Sequence, residues 1–206
     1  MMDALAQDGF THVYEPGTGA GAPVLLLHGT GGDERDLLPI GRSVAPGASL
    51  ISPRGRVLEG TMPRFFRRLA EGVFDEADLV ARTHELAEFV LAMRARHGLA
   101  APIAIGFSNG ANIAASLLLL RPEVLAGAAL LRAMSPFAGP PSVDLTGKKV
   151  LMLSGAMDPI IPAETAERLA RTLAEVGAET EHRVLPAGHG LTQADLTLLE
   201  AWHAGR

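Results

Sequence analysis

The sequence predicts an α/β fold, one domain over 1–206 with a mostly parallel sheet of about seven strands and helices on both faces. Three observations carry this. Short runs that are apolar at every position alternate with stretches of helical periodicity. Strands apolar on both faces need cover on both, as in a parallel sheet between helices. A length of 206 residues, 48% hydrophobic and 20% charged, suits one such globular unit and leaves no room for a separate lid domain. With aromatics at only 4%, the core must be built from Ala, Val, Ile and Leu.

Thr11–Tyr14 is a more polar strand, suited to a sheet edge. Val24–Leu27 is a continuous apolar run that stops at His28-Gly29, and Leu50–Ile51 is another, ended by Ser52-Pro53. Residues 54–74 break the pattern. They have no clean periodicity, they contain Phe65, Phe66 and Phe74, and they carry Arg54, Arg56, Arg64, Arg67 and Arg68. A connection this long is usually functional or mobile. Leu79, Thr83, Leu86, Val90 and Met93 then form one helical face, with Asp75 and Asp78 as N-cap and reciprocal partner and Gly98 as the stop. Ile103–Phe107 is a buried strand between Pro102 and Ser108-Asn109-Gly110, followed by a helix. Leu125–Leu131 and Val150–Leu153 repeat the strand pattern. Pro162 opens a helix with the face Ala166, Leu169, Leu173 and Val176, stopped by Gly177. Thr180–Leu185 is a second candidate edge strand. Thr192 and Asp195 form a capping pair for a last helix, with Leu191 and Leu196 as its hydrophobic staple.

Composition excludes several function classes. There are no cysteines, hence no disulfide, thiolate metal site, iron–sulfur cluster or cysteine nucleophile. Their absence fits a reducing compartment, and a cytoplasmic location is the expectation. Net charge is −5 with both signs mixed and no Lys/Arg tract, so no nucleic-acid partner is expected. Met1 to Phe10 carries Asp3 and Asp8 and no basic residue, unlike a secretory signal. Apolar stretches such as Ile113–Leu120 are too short to insert in a membrane. A homodimer is expected only as the commonest assembly.

Three positions carry the chemistry. Gly106-Phe107-Ser108-Asn109-Gly110 is a G-x-S-x-G sequence between a buried strand and a helix. A serine at such a sharp turn is strained and needs small residues two before and two after it. The strand lifts Ser108 to the top of the sheet, and the helix aims its positive N-terminus at the same place. A serine hydroxyl needs a base, and the base needs an orienting group. Asp158 follows the strand Val150–Leu153 at its carboxyl end, whereas Asp144 precedes that strand. Capping the next helix is the plain alternative for Asp158. His189 follows the strand Thr180–Leu185, between Gly188 and Gly190. His182 lies inside that strand, and His84, His97 and His203 fall on helices or helix ends and read as surface residues. His28 also sits at a strand end, but it precedes Ser108 and reads as shaping the loop that follows it. Two fixed N–H donors should meet the negative oxygen of a tetrahedral intermediate. The backbone of Asn109 supplies one, and the glycine-rich loop His28-Gly29-Thr30-Gly31-Gly32-Asp33 supplies the other at Thr30. That loop lacks the lysine and the glycine spacing of a nucleotide-phosphate cradle.

These four segments, 28–33, 106–110, Asp158-Pro159-Ile160-Ile161-Pro162 and Gly188-His189-Gly190-Leu191, occur together and in order. In this the chain resembles the carboxylesterase/phospholipase family of α/β-hydrolases, which includes acyl-protein thioesterases. It is most similar to the small bacterial esterase branch with the hydroquinone-resistance hydrolases, from about Pro23 to the end. The resemblance implies the α/β-hydrolase fold, Ser108 as nucleophile with Asp158 and His189, and Thr30 and Asn109 as oxyanion donors. It also implies hydrolysis of small-molecule carboxylic esters with no cofactor and no metal. Thioesterase or lysophospholipase activity is the alternative, and a non-catalytic ligand-binding module on this fold is the alternative of another class. The chain departs from the thioesterases at Asn109, Gly110 and Ala111, where they have Gln and a second Gly, and at Thr30, where they have Leu. These departures point away from long-chain substrates. Phe65, Phe66 and Phe74, with Met134 and Phe137 opposite, are the candidate substrate wall, although the phenylalanines could equally anchor the long loop to the core. The arginines of 54–68 meet only Glu59 locally, and read either as a site for an acidic substrate or as a solvated face.

Overall fold

The computed structural model describes residues 9–19, 21–139 and 141–205, so the acidic stretch with Asp3 and Asp8 lies outside the described residues. Its frame is a seven-stranded sheet of β1 (His12–Glu15), β2 (Val24–Leu27), β3 (Leu50–Pro53), β8 (Ile103–Phe107), β9 (Gly127–Leu131), β10 (Lys149–Gly155) and β11 (Glu179–Leu185). The spatial order is β1-β3-β2-β8-β9-β10-β11, with only β1 antiparallel to its neighbour. The strands expected at the edges, β1 and β11, are at the edges, where the sequence is more polar.

Strand alternation divides the core in two. Leu25 and Leu27 point to one face, where they meet Leu79, Leu86 and Val90 of α2 (Glu76–His97), Leu117 of α3 (Asn109–Leu120) and Leu169 of α4 (Ala163–Glu175). Val24 and Leu26 point to the other, toward Leu38 and Val44 of α1 (Leu38–Val44) and Leu199 of α5 (Gln193–Ala204). Nearly all of these core side chains are aliphatic, as the scarcity of aromatics requires.

Helix termini follow their signals. Asp75 caps α2 by accepting from the Asp78 N–H, and Gly98 closes it in the left-handed conformation. The reciprocal half of that box is missing, because the Asp78 carboxylate accepts from the Arg67 N–H instead. Pro162 starts α4, and Gly177 after it has φ 97°. Thr192 and Asp195 form the full capping box of α5.

Two features were not legible. Helix α1 has only seven residues, including Pro39 and Gly41, so no periodicity can announce it. It packs so closely on the sheet that a Cβ on Gly41 would come 2.8 Å from a Leu26 methyl. Segment 54–74 is ordered as two hairpins. In one, β4 (Val57–Glu59) pairs with β5 (Met62–Arg64), and in the other β6 (Arg68–Ala70) pairs with β7 (Val73–Phe74). Gly60 (φ 62°) and Gly72 (φ 73°), which mark their turns, were the available signals.

Candidate active site

The strand register brings the carboxyl ends of the sheet to one rim. Leu27 pairs with Gly106, Phe107 with Leu131, and Gly155 with Leu185. The residues just past these ends are His28, Ser108, Arg132, Asp158 and His189. Open α/β sheets place their sites on this rim.

Ser108 links β8 to α3 with φ 52°, a conformation that costs a non-glycine residue about 1–3 kcal/mol. Its neighbours make the turn possible. A Cβ on Gly106 would stand 2.5 Å from the Gly110 carbonyl oxygen, and one on Gly110 would run into the Leu27 carbonyl at the end of β2. Both positions are filled by backbone, so only glycine fits. The Ser108 N–H donates to Leu131 O and fixes the turn to β9.

His189 Nε2 lies 3.0 Å from Ser108 Oγ, and its Nδ1 lies 2.8 Å from Asp158 Oδ2. A carboxylate can only accept, so Nδ1 carries the proton and Nε2 is free to accept from the serine hydroxyl. The Asp158 side chain is 1% exposed and the His189 ring 20%, so the row runs from the interior toward solvent. Burial pushes the Asp158 carboxyl up, but the hydrogen bond from His189 and the Ile160 and Ile161 N–H donors outweigh it and hold it below its usual range. Asp158 therefore shapes its own loop and also partners the histidine.

Thr30 and Asn109 face the same rim. Asn109 opens α3, so its N–H is among those a helix leaves without an internal partner. Thr30 Oγ1 accepts from Arg64, and the next residue, Gly31, donates its N–H to Pro63 O. The first hairpin thus steadies the glycine-rich loop. His28 does the same from below. The Gly55 N–H donates to its Nε2, which leaves Nδ1–H to donate to Gly29 O. The ring is thereby held neutral, and burial keeps it below the ordinary histidine range. His182 sits beside Ser154, 2.9 Å from its hydroxyl, and makes no hydrogen bond to the Ser108 row.

A family model described as phospholipase/carboxylesterase matches residues 9–202. The chain belongs to the phospholipase/carboxylesterase family. It is 46% identical over 194 residues to MhqD of Bacillus subtilis (strain 168), which its name calls a hydrolase, covering 93% of this chain and 96% of that protein. The Bacillus cereus carboxylesterase structure superposes with a TM-score of 0.94 at 42% identity, covering 97% of this chain and 96% of that one. A carboxylesterase from Mesorhizobium loti gives the same TM-score at 33% identity, covering 100% and 99%. The fold is the α/β-hydrolase fold, and the protein is an enzyme of carboxylesterase type. Among the described residues no helix is long and apolar enough to cross a membrane.

Within this family member the expected substrate wall is only partly available. Phe65 and Phe66 are 2% and 0% exposed and belong to the main core, so they offer no face to a ligand. The reason is local. Phe65 packs at a tilt against His28 and its N–H donates to Asn109 Oδ1, while Phe66 packs edge-on against Phe74. Of the two roles open to these rings, anchoring the loop is theirs. Phe74 and Phe137 stay half-buried, and Phe74 packs against the small cluster of Met134, Ile161 and Ala166 beside the Asp158 loop.

The arginines of 54–68 all meet carboxylates, most of which the sequence keeps distant. Arg54 pairs with Glu34, Arg56 with Glu85, Arg67 with Asp75, and both Arg64 and Arg68 with Glu59. These pairs tie the hairpins down, with Arg64 and Arg68 sharing the single carboxylate of Glu59. The residue missed altogether is Arg132, which is fully buried past the end of β9. An isolated arginine in an apolar stretch was the available signal, since such a charge is almost never buried without a partner.

Proposed function

We propose that the enzyme cleaves small carboxylic esters through an acyl-enzyme on Ser108, with His189 as general base and Asp158 as its orienting partner. The observation that carries this reading is the continuous hydrogen-bonded row Ser108–His189–Asp158 at the carboxyl rim of the sheet. His189 Nε2 takes the hydroxyl proton as Ser108 Oγ attacks the ester carbonyl. The carbonyl oxygen becomes negative and is met by the backbone N–H groups of Thr30 and Asn109, each such donor being worth roughly 3 kcal/mol. The alcohol leaves with the proton from His189. Water, deprotonated by the same nitrogen, then attacks the acyl group and releases the acid and Ser108. Asp158 keeps Nδ1 protonated and stabilises the imidazolium in between. Phe74 and Phe137 are the proposed acyl or aryl wall, with Met134 buried in the cluster that Phe74 packs against.

The test is labelling with a fluorophosphonate probe, read by mass spectrometry, beside a panel of short aryl esters, acyl-CoA thioesters and lysophospholipids. A single adduct on Ser108, lost in Ser108→Ala, and fastest turnover on the short esters are expected. No adduct on the wild type overturns the serine mechanism, and a preference for thioesters or long acyl chains overturns the substrate class.

A further inference from the structure

We propose that Arg132, paired with Asp195, is a positioning residue that holds His189 in line with Ser108; this rests on the reading of His189 as the base. The Arg132 guanidinium has five N–H donors, and all five are used. Nε donates to Gly188 O (2.9 Å), and Nη2 to Gly190 O (3.2 Å). These are the two carbonyls that flank His189. Nη1 donates to Leu153 O (3.1 Å), at the strand that leads to Asp158. The remaining donors form a two-armed pair with Asp195, at 2.7 and 2.9 Å.

The clamp answers a specific need. Glycine is the most permissive residue, and His189 stands between two of them. Side-chain space does not restrain them, because a Cβ on Gly190 would meet nothing within 4 Å and one on Gly188 only Met157 O, at 3.8 Å, although the Gly188 carbonyl lies close over Gly155. One rigid fork on both flanking carbonyls supplies the missing restraint. The fork is anchored in turn. Asp195 also accepts from the Thr192 N–H and hydroxyl, so the pair joins β9, the histidine loop and the start of α5. Arg132 itself is held at φ 57°, with its N–H on Leu153 O. Stability alone does not account for the arrangement. Both side chains are essentially inaccessible, at 0% and 1% exposure, and buried ion pairs are commonly replaceable by apolar residues without loss of stability. A lysine would keep the charge but not the fork.

The experiment compares Arg132→Lys, Asp195→Asn and the apolar double variant Arg132→Met/Asp195→Leu with the wild type. Its readouts are kcat and KM on a short aryl ester, the rate of fluorophosphonate labelling, and the low-field proton signal of the His189–Asp158 hydrogen bond. Misplacement by about 1 Å predicts a fall in kcat of roughly 10–100-fold, with KM changed by less than about twofold. Labelling should slow in parallel, and the proton signal should broaden or vanish. Gly98→Ala, which strains the left-handed cap of α2 away from the fork, should lower Tm and leave kcat unchanged. If the apolar double variant unfolds cooperatively, keeps wild-type kcat and keeps the proton signal, the positioning role is overturned. It is overturned equally if the variants lose only Tm. Should the double variant not fold, the two single substitutions decide on the same readouts. Ser108→Ala runs alongside as the reference. If it retains activity, the reading of the whole site falls, which is distinct from failure of the clamp.

Discussion

Ser108 and His189 both stand near glycines, yet their turns are held by different physics. Around Ser108 the glycines are steric necessities, because any Cβ on Gly106 or Gly110 would enter neighbouring backbone. Beside His189 the space at the Gly188 and Gly190 Cβ positions is open, and hydrogen bonds from a buried arginine hold the flanking carbonyls. Ser108, the proposed nucleophile, can be positioned by the chain's own packing because strand and helix constrain it from both sides. His189, the proposed base, follows an edge strand, has fewer neighbours and is held by a side chain brought from elsewhere. The pair of glycines is therefore a similar sequence signal for two opposite mechanical situations.

Removing either side chain of the proposed reacting pair should have the largest effect. Ser108→Ala and His189→Ala are each expected to lower kcat by at least about 10⁴-fold, and the double variant no further, since such groups act as a unit. Steady-state kinetics on one short ester would show this, and additive losses would separate the two turns functionally.

Next comes the buried pair that serves the histidine side only. Asp195→Ala strands the Arg132 charge and should cost about 3–5 kcal/mol in urea unfolding at neutral pH. The cost should depend on pH. Burial raises the Asp195 carboxyl, but the hydrogen bonds from Arg132 and Thr192 hold its folded-state pKa below the ordinary value. The unfolded chain then takes up the proton first, so this stability is complete above about pH 3.9 and is lost as pH falls through the folded value. Unfolding of wild type and Asp195→Ala across acid pH should show the gap between them closing. A gap that widens in acid would contradict the assignment.

The glycines test the comparison directly. Gly110→Ala forces a methyl into the end of β2 and should destabilise by about 3 kcal/mol, the upper end for overpacking. Gly190→Ala meets open space and lies outside the positive-φ glycines, so it should stabilise by about 0.5 kcal/mol by restricting the unfolded chain. Thermal unfolding of the two variants should therefore move in opposite directions. Equal losses would mean that the His189 turn is packed after all.

Legibility in the sequence followed the range of each interaction. Buried strands were readable because their apolar runs are local, and so were the caps at Asp75, Thr192 and Gly98. Ser108, Asp158 and His189 could be singled out because each follows a strand end, and in a parallel sheet the strand ends share one rim. Residues 54–74 were not readable as hairpins. Their strands are two or three residues long and leave Leu58, Leu69 and Val73 exposed at 66%, 69% and 51%, so no hydrophobic alternation marks them. The same segment left the role of Phe65 and Phe66 open, because their burial depends on contacts with other elements, His28 and Asn109 among them.

The family, the parallel sheet, its edges and the order of the site segments are all written in the chain, because they rest on periodicity and on short motifs with a steric cause. Only the tertiary structure decided which charges are compensated and what holds the histidine. Arg132 and Asp195 are 63 positions apart, and Arg54 and Glu34 are 20 apart. Such pairings depend on where strands and helices end in space. No local pattern encodes that, so a lone arginine in an apolar stretch gains its meaning only when the fold supplies its partners.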